Sequence, residues 1–189
     1  MRRTFWSLVL AGGLIACGSE QKVEQTEATV VSQGGGSPLN LGAVVVMVPE
    51  GWQSQPVSSS MRKAQYVLPR QAGDSEDAEM VVFYFGTGSA GSVEANLQRW
   101  RGQMKGARGE TKKSTVNGMT VTTLDVTGSY AASMGPMMKS GKEKPNYRMI
   151  ASIIESSSGA YYFKLTGPQK TVEHWHSSFE QFINSAKGS

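Results

Sequence analysis

The 189-residue chain contains one cysteine and two histidines, and it carries little excess charge of either sign. A single thiol forms no intrachain disulfide and assembles no cysteine-based zinc site, so stability has to come from packing. His174 and His176 stand two apart in a segment of helical periodicity. On a helix they point about 200° apart and cannot hold one metal ion. No Gly-x-Ser-x-Gly elbow occurs, so a Ser-His-Asp arrangement would have to bring one of these imidazoles to Asp125 or another carboxylate. Enzymatic chemistry is therefore not expected. Nineteen Lys and Arg face fifteen Asp and Glu, a surplus of +4. That is too mild to describe the basic face nucleic acid requires. Also missing is an apolar run of the about 20 residues that a spanning helix needs.

The feature with the clearest chemistry lies at the N-terminus. Arg2 and Arg3 precede a mostly apolar stretch over residues 5–15, a positive n-region and a short h-region. The stretch closes on Leu14-Ile15-Ala16-Cys17, which resembles a bacterial lipobox. The resemblance implies a signal peptide over residues 1–16, cleavage before Cys17, and lipid on that cysteine. It places the protein in a bacterial cell envelope, membrane-anchored by its N-terminal lipid and facing the periplasm. Gly18, rather than Asp, favours the outer membrane under the sorting pattern of enteric lipoproteins. Loss of Arg2 and Arg3 leaves 17 basic against 15 acidic side chains, so +4 falls to +2. Residues 18–42 are Gln, Glu, Thr, Ser and Gly with few apolar groups, a flexible tether following the lipidated Cys17. Twenty residues of such chain reach about 25 Å.

A single domain is expected over residues 43–187. β-branched or alternating runs predict strands over residues 43–48, 63–68, 80–85, 110–116, 119–127, 147–155 and 160–166. Ser92 is placed to cap a helix carrying Val93, Leu97, Trp100 and Met104 on one stripe. Gly167-Pro168 opens a second, with Val172, Trp175, Phe179, Phe182, Ile183 and Ala186 on one face and Lys187-Gly188 at its C-terminus. Asn117-Gly118 supplies a type I′ hairpin turn, and a change of apolar phase predicts a bulge near Thr122-Thr123. The expected fold is α+β, a mainly antiparallel sheet of about six or seven strands covered by two helices.

Pro49-Glu50-Gly51-Trp52 after the first strand and Leu165-Thr166-Gly167-Pro168 before the last helix resemble the PsbP-like fold, an α/β/α sandwich. Photosystem extrinsic subunits, a nuclear-import factor family and assorted bacterial lipoproteins are similar in this arrangement. Those families bind partners rather than share a reaction, so the resemblance implies a fold and a binding or assembly role. It transfers no functional residue.

Two motifs remain. Gly86-x-Gly88-x-x-Gly91 lies between a predicted strand and a predicted helix, as a dinucleotide fingerprint would. Two hairpin arms precede it and a polar segment follows it, and an extracytoplasmic domain lacks ready access to NAD. It is read as a flexible turn, with no nicotinamide or other cofactor expected. The long segment over residues 131–146 holds Met134, Met137 and Met138, then Lys139, Lys142 and Lys144. Loops longer than about 12 residues in compact domains are often functional. Adaptable thioethers flanked by lysines suit contact with an envelope protein. Alternatively, Met134, Met137 and Met138 could hold Cu(I), a soft ion that accepts thioether ligands.

Overall fold

The computed structural model describes residues 36–88, 90–131 and 142–189. Ten strands and two helices follow one another: β1 (Ser37–Asn40), β2 (Val44–Val48), β3 (Gln53–Ser54), β4 (Arg62–Leu68), β5 (Ala78–Tyr84), α1 (Val93–Gly102), β6 (Met104–Val116), β7 (Met119–Tyr130), β8 (Lys144–Ser156), β9 (Gly159–Pro168), α2 (Gln169–Asn184) and β10 (Lys187–Gly188). Seven strands form an antiparallel sheet in the order β3-β4-β5-β9-β8-β7-β6, and β1-β2-β10 form a small second sheet. The α+β class and the antiparallel sheet are as expected.

Alternation divides the large sheet into two buried faces. On one, Tyr66, Met80, Ile150, Ile154, Phe163 and Leu165 pack under α2 and the small sheet. On the other, Leu124, Val126, Met149, Ile153 and Tyr162 pack under Leu97 and Trp100 of α1. Strand β8 lies between them, and its residues Tyr147 to Ile154 are buried without interruption. That continuous burial explains its long apolar run, since a strand covered on both faces has no solvent side to make polar. α2 buries Val172, Phe179, Phe182 and Ile183. Truncating such a fully packed phenylalanine costs about 3–5 kcal/mol.

Several strands run longer than expected and β3 is additional; four further differences have a physical reason in the pairing. Among the described residues, strand pairing extends ahead of residue 43, because Ser37–Asn40 pairs with β2, Leu39 opposite Val46. The bulge expected near Thr122-Thr123 is absent: β7 pairs in unbroken register with β8 from Thr120 to Gly128. Its phase change reflects two-sided burial, Val121 facing the α2 side and Leu124 and Val126 the α1 side. Met104 leaves the helix and enters β6, because α1 ends at Gly102. Finally, Lys187-Gly188 is not the end of α2 but a strand on β2, opposite Val45 and Val44. The Asn117 side-chain amide donates to the Ala186 carbonyl at 2.8 Å and helps hold that exit. The predicted local features hold elsewhere. Ser92 Oγ accepts from the Ala95 amide at 3.1 Å, and Asn117 and Gly118 take φ of 47° and 82° as the hairpin turn requires.

Candidate functional site

α2 lies over β8 and β9 but leaves the far side of the sheet open, so its flank and the projecting strands β6 and β7 enclose a groove of about 400 Å³. Val121, Ile150, Phe179 and Ile183 give it an apolar floor. Within that floor Thr123 and Ser152 share a hydrogen bond of 2.7 Å between their hydroxyls. Ser152 is fully buried in an apolar strand, so this bond is what satisfies its hydroxyl.

One end of the groove is fixed by charge. Arg148 is nearly buried, and its Nε and Nη2 donate to the Asp125 carboxylate at 2.9 and 2.7 Å. A third bond runs from Arg148 Nη1 to Glu173 of α2. This bidentate pair with an added partner ties β7, β8 and α2 together, the geometry in which guanidinium–carboxylate bonds are strongest. The rim is softer. Lys112 pairs with Glu110 at 2.8 Å in full solvent, and His176 Nε2 stands 3.5 Å from Glu180. His174 packs edge-on to Trp175, ring centres 4.9 Å apart. Among the described residues no hydrogen bond joins a histidine to a serine, and no three His, Asp or Glu side chains cluster as a metal site would need. What the groove offers is an apolar floor, fixed hydrogen-bonding groups and a charged rim.

Beside it runs β6, thirteen residues long and exposed along nearly its whole length. It is the last strand of the sheet, so its outer backbone groups have no strand partner among the described residues. Lys105, Arg108, Lys112 and Lys113 on it are the kind of charged side chains that keep an open edge from pairing at random.

Of the residues singled out from sequence, Cys17, Met134, Met137, Met138 and Lys139 lie outside the described residues. Lys142 is exposed, just ahead of β8. Lys144 is in β8, not in a loop: it pairs with Glu76 at 2.6 Å, and its ammonium is 5.6 Å from the Tyr147 ring. Tyr130 and Lys144 stand opposite each other, so the connection leaves and rejoins the sheet at one place. Gly86, Gly88 and Gly91 all have positive φ, 83°, 74° and 73°. The preceding strand β5 is antiparallel to its neighbours β4 and β9, so no parallel β-α-β unit surrounds the motif. Sequence reasoning missed the groove, although Ser152, a lone polar residue within the apolar run of β8, marked it.

No protein-family model matches the chain, and no curated protein sequence does. Among solved structures, the chain is similar to cyanobacterial PsbP (CyanoP) from Synechocystis sp. PCC 6803, with a TM-score of 0.52 at 13% identity over 94% of this chain and 100% of that one. The fold is PsbP-like. A second similar structure is LpqN of Mycobacterium tuberculosis, described as involved in cell envelope biogenesis, with a TM-score of 0.51 at 17% identity over 82% of this chain and 85% of that one. In this PsbP-like fold the groove is built from the last helix and the open edge of the sheet.

Proposed function

We propose that the protein is a membrane-anchored lipoprotein of the bacterial envelope, held by lipid on Cys17 and facing the periplasm from the outer membrane. There it acts as a non-enzymatic binding or assembly factor for another envelope protein. The observation that carries the reading is the groove, an apolar floor with prearranged hydroxyls beside the open edge of β6. A partner could lay an extended segment along that edge and seat an apolar side chain in the groove, the mode in which main-chain bonds supply affinity and pockets supply specificity. The involvement of LpqN in cell envelope biogenesis lends support to an envelope role.

The test is crosslinking of the full lipidated chain in intact cells. Ser114 and Asn184 are exposed on the two walls of the groove. Replacing either with Arg should abolish the crosslinked partner. A partner retained by both variants rejects the groove, and one lost instead on replacing Met137 and Met138 moves the contact to that segment. Mass spectrometry of the exported protein tests the anchor: an unacylated Cys17 thiol overturns the placement.

A further inference from the structure

On the sheet face opposite the groove, β9 carries Lys164, flanked by Val81 of β5 and Ala151 of β8. Its Nζ donates to Gln103 Oε1 at 2.8 Å and to the Tyr130 hydroxyl at 3.4 Å. The same ammonium lies 5.2 Å from the centre of the Tyr130 ring. These partners are neutral. Lys164 lines a cleft of about 230 Å³ with Phe83, Phe85, Trp100 and Tyr162. Phe83 and Phe85 are stacked 6.0 Å apart, and Tyr162 meets Phe85 and Trp100 edge-on at 5.4 and 6.1 Å. Both phenylalanines are only partly covered, so ring surface faces the opening.

A second cation stands at the rim. Arg99 of α1 donates to Asn96 Oδ1 at 2.5 Å. Asn96 is buried, its own amide held by the Ala90 and Ser92 carbonyls at 2.7 and 2.9 Å. Nearby, Arg62 pairs with Glu79 at 3.0 Å, and those two charges offset each other. Lys164 and Arg99 are left with no carboxylate in ion-pairing range among the described residues. Keeping a desolvated ammonium charged without a counter-ion is unfavourable, and an anion delivered to it recovers that cost.

We propose that this cleft binds a small aromatic carboxylic acid, its carboxylate held by Lys164 and Arg99 and its ring laid against Phe83, Phe85, Trp100 and Tyr162. Small-ligand sites commonly have this composition, mostly apolar walls with a few convergent polar groups. The charge state of Lys164 agrees with a site built for an anion. Burial first, opposed by Glu79 and helped by Arg99 and Arg62, lowers the amine to about 8. A bound carboxylate would raise it, so binding at pH 8.5 should take up protons from buffer. Tyr130 and Tyr162, which also face the amine, are both raised by burial and stay protonated there.

The probe is 2-naphthoate, with 2-naphthamide as its uncharged counterpart, titrated into the full chain at pH 7. Naphthoate should bind at least tenfold more tightly than the amide. Lys164→Met and Arg99→Gln should each remove that preference. Arg99 is exposed on its helix, so its variant tests the site even where the core substitution fails to fold. In the unaltered protein, naphthoate should shift the Trp100 indole resonance. Equal affinity for acid and amide, or an unchanged preference in Arg99→Gln, overturns the proposal. So does a perturbation confined to the groove under α2.

Discussion

Glu76 shows how a single residue on the open surface can set a pH limit. Burial alone would raise its carboxyl, but hydrogen bonds from Lys144 and Tyr147, with the Lys144 charge, outweigh that and hold it below its ordinary 4.5. A carboxyl lowered by folding favours the native state when ionised. Its contribution is full above about 4.5 and is lost as pH falls through the lower native value. Urea midpoints measured at pH 6 and pH 3 should therefore fall further in the natural protein than in Glu76→Gln, and parallel acid limbs would refute the linkage. Arg148 poses a different problem, since its guanidinium is nearly buried. Asp125→Ala leaves it with Glu173, which is 67% exposed and screened, and should cost about 1–3 kcal/mol in urea unfolding. Neither pairing was legible in sequence. Lys144 stood in a basic run that suggested a free loop cation, and Asp125 alternated with apolar neighbours like any surface residue. Which oppositely charged side chain each would meet depended on a strand register, and on a segment some 70 residues away.

Elements were more readable, because their signals are local. The cap at Ser92, the Asn117-Gly118 turn and the amphipathic face of α2 all form as periodicity and turn chemistry dictate. The Pro49-Glu50-Gly51-Trp52 motif was legible as a pattern but its reason was not. Trp52 packs against Phe182 of α2, ring centres 5.0 Å apart. Gly51 has φ +83°, and a Cβ there would come within 2.8 Å of the Trp175 ring. The motif is thus a docking joint between the turn after β2 and the last helix. Gly51→Ala combines a strained backbone with a clash, and should destabilise by about 1–3 kcal/mol. Ser92→Ala loses only a solvent-exposed cap and should cost about 1 kcal/mol. Thermal melts of the two variants should separate in that order. Where elements differ from expectation the cause is tertiary: Lys187-Gly188 reads as the end of α2 because nothing local announces that it pairs with β2.

At the scale of the whole molecule the small sheet decides where the fold begins. The polar composition up to residue 42 gave no sign of β1, since two of its four residues are polar and its partner is β2. Yet the segment after it is integral to the core. Leu41 is 7% exposed, and its carbonyl accepts from the Tyr161 hydroxyl at 3.0 Å. That hydroxyl in turn accepts from the Ala43 amide at 3.1 Å. A chain starting at residue 36 keeps all of this and should unfold at the same urea midpoint as the full protein. A chain starting at residue 43 loses the Leu41 side chain, worth about 2–5 kcal/mol on truncation of such a residue. It also strips the Tyr161 hydroxyl of its acceptor, at about 1–3 kcal/mol. Against the about 5–15 kcal/mol that holds an ordinary domain together, that loss should leave the shorter chain partly unfolded at room temperature. Equal midpoints for the two truncations would mean that the small sheet is an ornament on the seven-stranded one. A large gap would make the segment around Leu41 the part that anchors Tyr161 and the strands around it.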